Sequence, residues 1–536
     1  MMNLYFLFST LAIILSTVLT GRKSKKILFF CFLLITSTHV FAQVTPIDTI
    51  KPGKGDPNQQ LKQIKAAKVQ QLSDSTGGSQ PKKNPLIDTT LRNKYGDLLN
   101  DDIRYNKKYP IWKPAVEVLG INVFTNGLDR LLGEDFSHVG PSTWNYNFNK
   151  GWEWDSDRFG INFIGHPYTG SMYFNAARSQ GYSYLQSVPF AVGGSLIWEY
   201  FGETTRPSYN DVINTPVNGA FLGEIFYRLS SNILDDRARG ANRFFRELTA
   251  GLVDPVRGLN RLLQGKSFRH TTTEVYQKEP LNITLFAGIH KINNYKSAFG
   301  SGPTEMLLNV QLDYGNPFED IYRKPFDFFR LRTEFSFGSG RKLLDNLTGY
   351  GYLIGDNTKI GKLSLLYGAF QYDDYWDNRT FELGAIGLGG GIFTKYPITK
   401  NINIYTNAHF ALVPLAGNST RFGPDTSQVR DYTYNDGLEA KVESTVNFGK
   451  YASASFVYYY FLLHTYVGAA GNNHVSILKP RVTVRVFDNI SLGFEHFIYY
   501  DDRYLKTAAP IHSVRTEQKI FVSWFLEDPQ RKDRYN

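Results

Sequence analysis

One cysteine, Cys31, stands in the whole 536-residue chain. It falls in a segment expected to be cleaved off, so the mature protein has no thiol, disulfide or cysteine-based metal site. Charge is sparse too, with Asp, Glu, Lys and Arg making up 20%. Residues 1–42 hold four basic and no acidic side chains, and their loss lowers the formal charge from +10 to +6. So diffuse an excess excludes a nucleic-acid partner. A mean hydropathy of −0.30 excludes a bundle of apolar membrane helices. An uncharged stretch, Ser179 to Trp198, is broken by Gln180, Gln186, Pro189, Gly193 and Gly194, which favours a buried helix pair over a membrane span. Familiar catalytic signatures are missing: there is no HExxH, no Walker loop and no GxSxG. The GLGGG at 387–391 lies in a strand pattern, where glycines mark a bend rather than a phosphate site. No cofactor is expected.

Aromatic residues are abundant at 15%, including 34 Tyr and 40 Phe. That suits a barrel with aromatic girdles at both membrane interfaces. The N-terminus carries an export signal: a basic region of Arg22, Lys23, Lys25 and Lys26, an apolar run from Ile27 to Ile35, and Val40-Phe41-Ala42 before a cleavage point at Gln43. Residues 1–20 are a second apolar run, read as an over-extended start with a transmembrane anchor as the rival. Residues 43–108 are polar and rich in Pro, Gly, Lys and Gln. They bury too little apolar surface to offset ordering, so a disordered periplasmic linker is expected, with a short helix around Leu61 to Leu72.

Residues 109–270 read as a helical domain. Val118, Leu119, Val123, Leu128, Leu131 and Leu132 recur at helical spacing after Pro114. Thr215 and Pro216 read as the cap and first position of another helix. In it Val217, Phe221, Leu222, Ile225, Phe226 and Leu229 form the apolar stripe, and Gly219 and Gly223 allow a close neighbour. From about residue 281 the apolar period becomes two. Residues 275–527 hold eleven such runs and a weaker twelfth, LTGYGYLIGD. Each is about ten residues long, the length of a tilted membrane strand. The expected fold is therefore a membrane all-β barrel of about twelve antiparallel strands, preceded by an α-helical plug or periplasmic domain. The plug is preferred, because Gly, Ala, Ser and Tyr suit dense packing inside a lumen.

The polar candidates lie in the helical domain: His166, Glu199, Glu203, Asp211, Glu224 and Arg228. Glu199 and Glu203 are spaced i,i+4 on one helix face. With His166 and Asp211 they suit a divalent cation or acid–base chemistry. Structural readings also stand: Ser208 and Asp211 fit a capping box, Glu224 and Arg228 an i,i+4 ion pair, and His166-Pro167 a helix start.

The phrases GWEWDSDRFGINFIGHPYTGSMYFNAARSQGYSY, GSLIWEYFGETTRPSYNDVINTPVNGAFLGEIFYRLS and RGANRFFREL, between residues 110 and 265, resemble an uncharacterised family of bacterial outer-membrane proteins. It is the domain-of-unknown-function family numbered thirty-nine forty-three. The resemblance implies an envelope protein with a helical module ahead of a barrel and supplies no activity. The function expected is a structural or transport-related component of a Gram-negative outer membrane. An envelope enzyme acting on lipid through the His/Glu/Asp cluster is the alternative, and a passive pore the third. Expected partners are outer-membrane lipid and the barrel-insertion machinery.

Overall fold

A computed structural model describes residues 101, 104–292, 299–300, 302–319, 324–338, 343–378, 381–419 and 431–527. The export signal, the first apolar run and most of the linker lie outside the described residues.

Twelve antiparallel strands close into one barrel, each pairing with its sequence neighbour and the first with the last. They are β1 (Leu281–Ile292), β2 (Thr304–Tyr314), β3 (Phe329–Phe337), β4 (Leu344–Ile360), β5 (Leu363–Asp377), β6 (Glu382–Pro397), β7 (Ile402–Ser419), β8 (Tyr432–Phe448), β9 (Ala452–Val467), β10 (Gly471–Phe487), β11 (Ile490–Leu505) and β12 (Ile511–Leu526). Leu285 opposite Trp524 and Ile289 opposite Ile520 zip the closing seam. Four joins at one end, after β4, β6, β8 and β10, take only two to four residues. The chain enters β1 and leaves β12 at this turn end, where the longer join from β2 to β3 also lies, and the remaining joins sit at the opposite, loop end.

Alternation sorts the side chains into two sets. Inward residues meet across the lumen: Arg332 Nη1 lies 2.6 Å from Glu443 Oε1, Lys519 Nζ lies 2.5 Å from Glu334 Oε1, and Lys441 pairs with Asp374. Toward the loop end, Trp376, Phe381, Leu383, Phe461 and Tyr499 form a buried apolar cluster inside the barrel. Outward residues such as Val482, Val484, Leu492, Phe494, Ile520 and Val522 are exposed and apolar. A closed wall with a polar inside and an apolar outside is the architecture of a membrane-spanning barrel.

The helical part comprises α1 (Trp112–Leu132), α2 (Pro141–Asn149), α3 (His166–Arg178), α4 (Tyr184–Ile197), α5 (Tyr209–Ile233), α6 (Gly240–Val253) and α7 (Pro255–Leu263). Two π-helical turns, Ile161–Gly165 and Trp198–Gly202, run into α3 and out of α4. The expected positions of this domain, a plug in the lumen or a cap on the periplasmic mouth, are both corrected. The helices pack against the outward set. Phe221 meets Phe326 edge-on at 5.5 Å, Phe159 stacks on Tyr375 at 5.6 Å, and Leu331, Leu347, Ile386, Leu415, Tyr432 and Tyr434 share one buried cluster with α3 and α5. Polar groups on the outer wall explain the placement. Tyr184 donates to Gln371 Oε1 at 2.9 Å, Gln371 Nε2 donates to the Val217 carbonyl at 2.7 Å, and Asn218 Nδ2 donates to Asp373 Oδ1 at 3.0 Å. Facing lipid, these groups would lack partners, and charge there costs several kcal/mol.

α5 runs along the wall from the loop end to the turn end. Its first turn lies near Tyr434, and Asn232 reaches the Glu279 carbonyl, just before β1, at 2.8 Å. The expected helix start at Thr215-Pro216 is corrected, because α5 begins at Tyr209 and Pro216 lies inside it. Wall and neighbouring helices supply the packing that lets an interior proline stand. The expected pair of helices in the uncharged stretch is a single helix, α4.

α1 buries Pro114, Val118 and Asn122 and turns an apolar face outward. Asn122 accepts from Tyr173 Oη at 2.9 Å, and Glu117 accepts from Gln180 Nε2 at 2.6 Å. Val116, Leu119, Val123, Phe124 and Leu131 point outward. No helix among the described residues is long and apolar enough to cross a membrane by hydropathy alone. The outward face of α1 is apolar, as is the uncovered outward face of the strands.

Candidate functional site

Four segments meet at the loop-end face of the helical domain. α3 starts at His166 because Pro167 sits in its first turn, where a missing N–H costs nothing. α5 starts at Tyr209, which places Asp211 in its first turn. The π-helical turn after α4 carries Glu199 and delivers Glu203 just beyond it. Glu203 is therefore not on a helix face with Glu199, which corrects the i,i+4 expectation. The fourth segment precedes the π-helical turn that leads into α3 and brings Asp155 and Asp157.

His166 Nε2 lies 3.3 Å from Asp211 Oδ1 and 3.8 Å from Asp157 Oδ2. That nitrogen is buried and makes no hydrogen bond among the described residues. Asp155 Oδ1 accepts from Asn162 Nδ2 at 2.9 Å and from Tyr434 Oη at 2.8 Å, so the barrel wall itself orients one carboxylate. Asn210 Nδ2 donates to Asp211 Oδ1 at 2.9 Å. The expected capping box is not made. Ser208 is the N-cap of α5, but its side chain makes no cap bond, and its N–H donates to Glu199 Oε2 at 2.6 Å. Ser208 thus holds a site carboxylate.

Crowding sets the electrostatics. Burial pulls His166 down, but Asp211 and Asp157, with Asp155 behind them, outweigh it and raise the imidazole to about 10. Burial, reinforced by Asp157 and Asp155 against His166, raises Glu203 to about 8. Burial and neighbouring carboxylates also raise Glu199 and Asp211 well above the ordinary range. Asp155 moves down: burial opposes ionisation, but hydrogen bonds from its neighbours and the His166 charge outweigh it. Without a cation, the cluster holds protons to limit its negative charge.

One oxygen from each of Asp155 and Asp157 and one ring nitrogen of His166 lie within 4.8 Å of one another, a spacing that suits a divalent cation. A second such trio, His290, Glu334 and Glu517, sits in the lumen, where Lys519 bridges the two glutamates. The first trio opens outward, since the Asp157 side chain is 55% exposed. Aromatic rings flank it: Trp152 stacks on Tyr209 at 5.5 Å, and Trp154 contacts Tyr434 at 5.0 Å and Tyr466 at 4.9 Å.

His166, Glu199, Glu203 and Asp211 therefore come together. Glu224 and Arg228 do not, lying about 20 Å further along α5 at 1.5 Å per residue. There Arg228 Nε meets Glu224 Oε1 at 2.8 Å as the i,i+4 spacing anticipates, Arg178 Nε meets Glu224 Oε2 at 2.7 Å, and Arg228 Nη1 meets Asp327 at 2.6 Å. This network ties α3, α5 and the strand-linking segment before β3 together. Asp155 and Asp157 were not among the sequence candidates, although the D-x-D of WDSDRF signals paired carboxylates.

Residues 151–256 match the family described as Domain of unknown function (DUF3943). The DUF3943 segment contains Asp155, Asp157, His166, Glu199, Glu203 and Asp211, while α1 and the barrel lie outside it. No curated protein matches the chain. Solved structures similar to it include the NanC porin, at 8% identity over 45% of this chain and 98% of that one, with a TM-score of 0.27. The outer membrane channel DcaP of Acinetobacter baumannii has 9% identity over 46% and 96%, with a TM-score of 0.21. OmpT, an outer membrane protein of Vibrio cholerae, has 10% identity over 46% and 96%, with a TM-score of 0.23.

Proposed function

We propose that this chain is an exported outer-membrane barrel whose laterally docked DUF3943 segment holds a divalent cation and acts on a lipid substrate at headgroup level. One observation carries the reading: His166, Asp155, Asp157 and Asp211 converge beside Glu199 and Glu203 at an outward-opening face. Five carboxylates around one imidazole leave a negative excess that a divalent cation relieves. Arg206, close to Glu203 in sequence, is engaged with Glu153 instead. A carboxylate-rich set with one imidazole suits cations such as Mn²⁺ or Zn²⁺. Such a cation would polarise an ester or phosphoester and lower the pKa of bound water, and Glu199 or Glu203 would take that water's proton.

Lipid access follows from position. The domain sits where lipid would otherwise cover the wall, α1 turns an apolar face outward, and Trp and Tyr rings flank the site as they do at membrane interfaces. Lipid and, during biogenesis, the insertion machinery are the partners this reading requires. The apolar cluster around Trp376 weighs against a passive pore.

Titration of the metal-stripped protein with Mn²⁺ tests the reading. One site is expected, with affinity rising as pH climbs through about 8, where Glu203 gives up its proton, and on toward about 10, where His166 does. Asp155→Asn and His166→Gln should each weaken it by about tenfold or more. If the unmodified protein shows no divalent site, or both variants bind as it does, the cation reading fails.

A further inference from the structure

A second site lies in the barrel, separate from the carboxylate cluster. At the turn end the lumen widens into a cavity of about 970 Å³. The β4–β5 turn at Gly361 and Lys362 and the end of β6 at Pro397 rim its mouth. Beyond it, toward the loop end, the lumen holds the buried apolar cluster around Trp376.

Its lining holds seven Lys and Arg side chains against four Asp and Glu. Most of the deeper charges are already paired. Arg332 is held by Glu443 at 2.6 Å, and Arg481 by Glu495 at 2.5 Å. Lys479 is the exception. It is 5% exposed, lines the cavity, and has no ion pair or hydrogen bond among the described residues. Its Nζ instead lies 5.3 Å from the Phe497 ring centroid, 5.6 Å from Tyr459 and 5.8 Å from Trp376. Aromatic faces stabilise an ammonium only in part. They satisfy none of its three N–H donors in the way a carboxylate or phosphate does. Arg332 and Arg481 lie near it, each paired with its own carboxylate, Glu443 and Glu495.

We propose that this vestibule binds a small water-soluble anion whose phosphate or carboxylate group seats on Lys479. The anion enters from the turn end, where the cavity opens. Phe286, Phe328 and Phe393 in the lining accommodate an apolar body attached to that group.

Isothermal titration of the full-length protein in detergent, at fixed ionic strength, uses inorganic phosphate and acetate as separate probes. Saturable binding of at least one below about 10 mM is expected, and the better probe assigns the group. Lys479→Gln should weaken it by about tenfold or more, Lys479→Arg should restore most of it, and Lys450→Gln, outside the cavity, should leave it nearly unchanged. Absence of saturable binding of either probe to the unmodified protein overturns the proposal, whatever the variants do. So does Lys479→Gln binding as tightly as the unmodified chain. Should Lys479→Gln fail to fold, the unmodified protein and Lys479→Arg decide the matter: binding to both supports the site, and binding to neither ends it.

Discussion

Substituting Gly219 by alanine tests how the domain positions its site. α3 crosses α5 with Gly170 against Gly219. A Cβ on residue 219 falls 2.5 Å from Gly170 C and 2.6 Å from its Cα. Carbon atoms in contact settle at about 3.5–4 Å, so the two helices must part by about 1 Å. Both obstacles are backbone, so no side chain can swing aside. Overpacking of this kind costs about 1–3 kcal/mol, and a backbone clash belongs at the upper end. Alanine's helix propensity returns about 1 kcal/mol, leaving a net loss of about 2 kcal/mol. For a unit of this size that is a fall of about 4–8 °C in Tm. Gly193 in α4 is the control, since nothing lies within 4 Å of a Cβ there. Gly193→Ala should raise Tm slightly, by propensity alone. A second readout follows from geometry. His166 is about one turn before Gly170, and Asp211 about two turns before Gly219, so parting the helices draws the two side chains apart. A shift near 1 Å should weaken Mn²⁺ binding by about tenfold. The assay is thermal unfolding followed at the helix band of far-UV circular dichroism, with cation titration of the same samples. Equal Tm for Gly219→Ala and the unmodified chain, or a rise like that of Gly193→Ala, refutes the close-packing argument.

Two further outcomes are expected. Stability without metal should fall as pH rises. His166 is held near 10 by its carboxylates, so its stabilising charge is fully present below its ordinary 6.5 and lost as pH climbs through about 10. Glu203 acts in the same direction: its raised value of about 8 means the folded state binds its proton more tightly, and that advantage is lost between its ordinary 4.5 and about 8. Urea midpoints at pH 6 and pH 9 check this, and Mn²⁺ should remove most of the difference; a midpoint that rises with pH in the metal-free protein contradicts the assignment. The scarcity of cysteine supplies the other test. In a Cys31→Ser background, Val123→Cys in the apolar face of α1 should resist a charged maleimide in intact outer membranes, while Asp157→Cys reacts. Equal labelling of both would place α1 in water rather than lipid.

The strands were readable because a barrel wall forces a period of two, and even the weak run LTGYGYLIGD proved to be part of β4. His166 at a helix start and the Glu224–Arg228 pair were readable for a related reason: both depend on residues within one turn of each other. Pro216 misled because a proline usually marks a helix start, whereas here α5 is supported on every side by wall and helices. Asp155 and Asp157 meet His166 through a turn whose course local pattern does not fix. The docking of the helices outside the barrel depends on contacts such as Asn218 with Asp373, which are 155 residues apart. Even so, β5 carries a trace of it. Residues 371–377 read QYDDYWD and are buried on both faces. One face, with Tyr372, Asp374 and Trp376, serves the lumen. The other, with Gln371, Asp373 and Tyr375, would present an amide and a carboxylate to lipid. A barrel strand survives that only if protein covers it, because lipid offers those groups no hydrogen bond. Loss of polar alternation in one half of a membrane strand therefore marks a lateral partner, and in this chain the helical segment upstream supplies it.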